Sequence, residues 1–276
     1  MKILTLCGED ENPLAAGDGL SIQVSAIDDV FDRCFPHRTI KKVLFLAPPD
    51  VDATMLNFAT GRRGRYLNYP PYCFGVLASH LRTMGIDVRV VTLQTSVLCA
   101  CQTAESEQAF DFDTSWKESV QNALMDCKPD FVGVTCMFSQ THQSFVNVCR
   151  KVREVAPGIP IAVGGVHVTN SLANGATRRK LLDDLQVVDF FFKYESDLSL
   201  RVFIKVIRGE QAFDSLMQVT VRVPHGFLDF GERNDPPKGE DINRIPAHDL
   251  LDPVGMSRWG KVGAFHCFKP KGTKRS

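Results

Sequence analysis

The residues best suited to hold a ligand fall in four short stretches. Residues 164–169 read GGVHVT, so two adjacent glycines are followed at once by an imidazole and a hydroxyl. Bare backbone lets a bulky group approach closely, and a histidine near neutral pH donates, accepts or ligates. Residues 135–141 read TCMFSQT, which supplies hydroxyl and amide groups able to hydrogen-bond a polar ligand. The other two are APPDVD at 47–52 and KYESD at 193–197, the latter placing a phenol beside carboxylates. Each also has a plain structural use. A diglycine after a strand makes a turn, Thr135 and Glu195 suit helix caps, and Tyr194 packs its ring with the hydroxyl in water. His80 and His142 fall inside helical stretches and receive no chemical role.

Generic signatures are missing. No GxGxxG occurs, which argues against a dinucleotide fingerprint. GMSRWGK at 255–261 satisfies GxxxxGK, but Val262 replaces the required Ser or Thr and no apolar strand precedes it, so the match is coincidental. GRRGR at 61–65 suits carboxylates or phosphates and equally suits a solvated loop. The nine cysteines are scattered through apolar segments, the closest pair being Cys99 and Cys101, with no CxxC or CxxxCxxC. No protein-ligated metal and no catalytic set are therefore expected, and reduced cysteines acting as small hydrophobes suit a cytoplasmic setting. With 32 basic and 32 acidic residues, nothing in the charge favours nucleic acid or an anionic membrane as partner. The opening MKILTLCGEDENP turns acidic before a signal peptide can form, and no run is long enough to span a membrane.

Positioning such loops takes a regular frame. From residue 41 onward, short Val-, Ile- and Phe-rich runs alternate with stretches of helical period, the pattern of βαβ units. Five strands are predicted, at 42–47, 87–93, 131–135, 160–163 and 187–193. Apolar on both faces, they fit a parallel sheet covered on each side: an α/β fold, Rossmann-like or flavodoxin-like and doubly wound. Helices are expected at Tyr72–Met84, at a segment opening with a Ser115/Glu118 capping box, around Phe145, Cys149 and Val152, and from Leu200 to Ile207. Residues 94–114 read as a long, partly helical connection. Residues 218–230 read as a hairpin turning at Pro224-His225-Gly226, and 231–276 as a linker without helix or strand. In an open parallel sheet the loops at the carboxyl ends of the strands form the ligand crevice, which selects the four stretches above.

In this order, KVLFLAPP, YPPYCFGVLASHLRTMGIDVRVV, PDFVGVTCMFSQ, IPIAVGGVHVT, VDFFFKYESD and INRIPAHDLLDP resemble the cobalamin-binding domain that precedes the catalytic barrel in cobalamin-dependent radical S-adenosylmethionine enzymes. The resemblance covers about residues 41–255. It implies three parts: an N-terminal extension (1–40), a cobalamin-binding domain (41–212), and a hairpin and linker (213–276). In the family the corrin ring lies over the carboxyl ends of the strands and its nucleotide tail threads down beside the sheet. Carried onto this chain, the cofactor-binding set becomes Pro48, Pro49, Thr135, Cys136, Met137, Ser139, Gln140, Gly164, Gly165, His167, Thr169, Tyr194 and Glu195. The diglycine then clears a path for the tail.

Three departures qualify the resemblance. The DxHxxG that supplies a lower cobalt ligand in other cobalamin domains is absent, since no Asp has a His two positions later; cobalt is then expected without an imidazole beneath it. The family more often has Gly-Glu where this chain has Tyr194-Glu195. The chain ends at Ser276 without the CxxxCxxC that holds a [4Fe-4S] cluster and cleaves S-adenosylmethionine. The barrel is therefore expected in a missing part of the same polypeptide or in a separate chain, and this polypeptide alone is expected to bind cobalamin without turnover. Methyl transfer is the commonest family chemistry, with ring formation or another radical rearrangement behind it. Two rivals fit the strand pattern: a flavodoxin-like nucleotide or flavin domain, and a degenerate family member that survives as an interaction domain without cofactor.

Overall fold

The computed structural model describes residues 2–4, 18–224, 226–231, 239 and 243–262. His225 at the tip of the expected hairpin, residues 5–17 and the basic tail lie outside the described residues.

Five strands run parallel, as their two-faced apolar character requires. These are β2 (Lys42–Ala47), β3 (Asp87–Thr92), β4 (Phe131–Thr135), β5 (Ile161–Gly164) and β6 (Phe190–Phe192). Three more extend the sheet: β7 (Val219–Val223) and β8 (Gly226–Phe230) form the expected hairpin, and β1 (Lys2–Leu4) pairs with β8. The eight-stranded order is β1-β8-β7-β6-β5-β4-β2-β3, with antiparallel pairing from β6 to β1. The sequence count of about five thus covers the parallel strands, the predicted hairpin supplies β7 and β8, and what is missed is β1 and the pairing of the hairpin onto β6. Strand order reverses between β2 and β4, so the switch point that hosts ligands in such sheets lies there.

Alternation along each strand divides the interior into two cores. Phe45, Phe131, Ala162, Phe190 and Phe192 face α1 (Asp18–Cys34), α3 (Tyr72–Arg82) and α9 (Ser196–Ile207). Leu44, Leu46, Val132, Val134, Ile161, Val163 and Phe191 face the other side. There they meet α4 (Leu93–Thr103), α5 (Phe112–Cys127), α6 (His142–Val155), α7 (Val166–Ala173) and α8 (Gly175–Asp184). A short α2 (Phe58–Arg62) sits against α4.

Several local expectations are corrected. The cap of α5 is Asp111, whose carboxylate accepts from the Thr114 N–H at 3.0 Å, while Ser115 donates back to the Phe112 carbonyl. The helix therefore starts three residues before the Ser115/Glu118 box. Leu93 opens α4 instead of ending β3. Residues 243–262 are not bare linker: α10 (Pro253–Trp259) packs on α4, the Ala247 N–H donates to the Gly75 carbonyl, and Lys261 bridges to Leu67. The GxxxxGK match lies in α10 and this bridge, outside any strand–loop–helix setting.

Candidate functional site

The switch-point face carries a cavity of about 500 Å³ between α3 and α9. Its floor is made by the face of β4 and β5 that carries small residues, Gly133, Ala162 and Gly164, and it deepens as far as Phe131. Phe74 and Leu77 of α3 form one wall and Phe192 and Leu200 the other. Polar groups gather at the strand ends: Thr135, Thr169, Glu195 and Ser196. The arrangement is an apolar shaft with a polar mouth, the form of a site that grips an elongated ligand by its body and orients it at one end.

The two glycines have different reasons. At Gly164 an added Cβ would meet Phe192 Cβ at 3.6 Å, ordinary contact, and it would stand on the cavity floor. At Gly165 φ is +106° and an added Cβ would come within 2.5 Å of the Cys136 carbonyl oxygen. Gly165 is thus required by the close passage of its own backbone beneath the neighbouring loop, a reason of its own besides its place in the cavity lining. That crossing is tied by the Cys136 N–H donating to the Gly164 carbonyl and the His167 N–H to the Cys136 carbonyl.

Of the expected set, Thr135, Met137, Gly164, Gly165, Thr169, Tyr194 and Glu195 line this cavity. Tyr194 sits at φ +57°, the left-handed region where glycine is at ease. Its N–H donates to Thr169 Oγ1 at 2.8 Å, which joins the loop after β6 to α7. Glu195 occupies the N-cap of α9, yet its side chain makes no capping bond. Pro48 and Pro49 are buried beside the switch point outside the lining. Cys136 points the other way: it joins the opposite core, and burial pushes its thiol up to about 11. Ser139 and Gln140 are exposed outside the lining.

His167 is engaged at both ring nitrogens. Nδ1 lies 3.0 Å from Ser139 Oγ and Nε2 lies 2.9 Å from His142 Nδ1. His142 Nε2 continues to Asp184 Oδ2 at 3.0 Å, and Lys180 holds the same carboxylate oxygen at 2.9 Å. The sequence reading passed over His142 and Asp184. They stand 42 positions apart, and only the packing of α6 against α8 brings them together. Among the described residues no cluster has the make-up of a metal site, and no helix is long and apolar enough to cross a membrane.

Residues 65–177 match the family model described as B12 binding domain. The matched segment includes the loops after β4 and β5, whereas Pro48, Pro49, Tyr194 and Glu195 lie outside it. Among solved structures, the radical S-adenosylmethionine methyltransferase TsrM from Kitasatospora setae, with cobalamin and a [4Fe-4S] cluster bound, superposes with a TM-score of 0.51. It shares 14% identity over 75% of this chain and 31% of its own. The cobalamin-dependent S-adenosylmethionine radical enzyme OxsB, with aqua-cobalamin and S-adenosylmethionine bound, gives a TM-score of 0.55. It shares 15% identity over 82% of this chain and 26% of its own. The match thus spans less than a third of either relative's length, and at these identities the likeness is one of fold. No curated protein sequence matches the chain. The matched segment covers α3 and the loops after β4 and β5 that frame the shaft, and over residues 65–177 the chain is similar to a B12-binding domain.

Proposed function

We propose that this chain is the cobalamin-binding module of a radical S-adenosylmethionine enzyme, most simply a methyltransferase. The observation that carries the reading is the shaft of about 500 Å³ descending from Gly164 between α3 and α9. Its small-residue floor and apolar walls suit the nucleotide arm of the cofactor, and its mouth offers Thr135, Thr169 and Glu195 as hydrogen-bonding groups. Bound cobalamin supplies a cobalt centre able to carry a methyl group. The residues of this chain place that centre and exclude water around its arm. His167 has both nitrogens committed to neighbours, which supports binding without an imidazole below cobalt.

Residues 41–212 are taken as the cofactor-binding core, with 1–40 as an extension packed on it through α1 and 213–276 as hairpin and connection. A [4Fe-4S] cluster and S-adenosylmethionine would belong to a barrel beyond this chain, in the same polypeptide or a second one. A cytoplasmic setting accords with the free thiols of all seven cysteines among the described residues.

The test is retention of hydroxocobalamin through desalting, read as a base-off absorption spectrum. Gly164→Leu should weaken binding by about a hundredfold while leaving thermal unfolding near the parent value, because the added Cβ meets Phe192 only in ordinary contact and stands on the cavity floor. A colourless or yellow parent protein, or a Gly164→Leu variant that binds as well as the parent, would overturn the reading.

A further inference from the structure

The chain Ser139, His167, His142 and Asp184 lies outside the cavity lining and serves no step proposed above. Its polarity is set from one end. Asp184 is held below the usual carboxylate range by its bond to Lys180 and then by His142, so it is an anion that only accepts. His142 Nε2 must then carry a proton toward it. With His142 neutral, its Nδ1 presents a lone pair, which His167 Nε2–H fills across 2.9 Å. That fixes His167 as the Nε2–H tautomer, with the Nδ1 lone pair facing Ser139 Oγ at 3.0 Å. Burial depresses the His167 pKa, so the imidazole stays neutral and able to accept. Ser139 is exposed and opens the short turn Ser139–Thr141 that leads straight into α6.

We propose that Ser139 is an activated nucleophile that accepts an acyl group from small activated esters, with His167 as its general base. The Ser139 Oγ–acyl bond forms as the ester C–O bond breaks. The hydroxyl proton passes to His167 Nδ1, and the alkoxide or phenolate leaves with the bonding pair or takes that proton. Water, deprotonated by the same nitrogen, releases the acid and restores the hydroxyl. His142 and Asp184 are positioning residues that hold the tautomer; Lys180 donates to the Asp184 carboxylate and Arg150 to its backbone carbonyl.

The full chain is treated with p-nitrophenyl acetate, and the acetylated residues are mapped by mass spectrometry alongside nitrophenolate release. Ser139 should be acetylated ahead of other serines, and Ser139→Ala should abolish that adduct. His167→Gln should slow it by about a hundredfold, and Asp184→Asn by less. In the parent protein the rate should fall as pH drops through the depressed His167 pKa and level off above it. Acetylation confined to lysines or cysteines would overturn the proposal, as would an unchanged Ser139 rate in a folded His167→Gln variant. Should that variant fail to fold by circular dichroism, the parent's pH profile decides: a rate that rises through neutrality without a plateau overturns the assignment.

Discussion

Asp50, in the loop after β2, is raised to about 6 by burial, with its N–H donating to Gln94 Oε1 at 3.0 Å. A carboxyl whose folded pKa exceeds its unfolded value binds more protons when folded, so its contribution becomes unfavourable as pH rises through that window. Asp50→Asn should therefore raise the unfolding free energy by roughly 1–3 kcal/mol at pH about 8 and by almost nothing near pH 3, measured by urea denaturation at both. What was legible residue by residue follows the period of the strands. Thr135 and Gly164 could be assigned to the site because they end strands at the switch-point edge. Cys136 could not be separated from Thr135 by type, since one step along the strand reverses the face. Tyr194 read as a departure from Gly-Glu because its residue type says nothing of the left-handed backbone it occupies. The His142 and Asp184 contact was illegible because helix packing alone creates it.

Helices and strands were legible in proportion to the regularity of their apolar period. The bounds of β2 and β4 coincide with the runs KVLFLA and FVGVT, whereas β6 is only Phe190–Phe192, since the Val188 N–H is spent on the Leu185 carbonyl in the turn after α8. Asp189 is buried, receives Arg153 at 2.9 Å and Arg33 at 3.4 Å, and accepts the Ile161 N–H at 3.0 Å. It thereby ties α1 and α6 to the start of two strands. Asp189→Ala should lower the unfolding free energy by about 3 kcal/mol, because Arg153 and the Ile161 amide lose their acceptor in a buried site. Equilibrium denaturation checks this, and a loss under about 1 kcal/mol would show that the carbonyls around Arg153 suffice. Helix α1 carried a signal that went unread: Ile27, Val30, Phe31 and Cys34 are buried at helical spacing, but Asp28, Asp29 and Asp32 between them gave the segment an acidic, unstructured look.

At the scale of the molecule, pieces distant in sequence close one body. The segment 243–262 returns to α3 and α4, and Arg82 pairs with Asp249 at 2.7 Å. Its seat depends on Gly75, where an added Cβ would meet Leu251 Cδ1 at 3.0 Å and Pro246 Cβ at 3.4 Å. Gly75→Leu should lift this segment, seen as faster amide hydrogen exchange over residues 246–262 with the sheet still protected. Equal exchange in parent and variant would show that the segment adjusts in place. The sheet was legible in its parallel part and its hairpin, but not in the way the hairpin and β1 extend it, because strands added at an edge leave no βαβ rhythm to place them. One further consequence lies beneath the shaft. Phe131 at its base is backed by Phe35, just past α1, at 6.1 Å and by Phe203 at 6.0 Å between ring centroids, with Phe31 of α1 and Phe190 behind them. The amino-terminal helix and the residue after it therefore back the closed end of the shaft, so residues 18–35 set how deep that cavity runs.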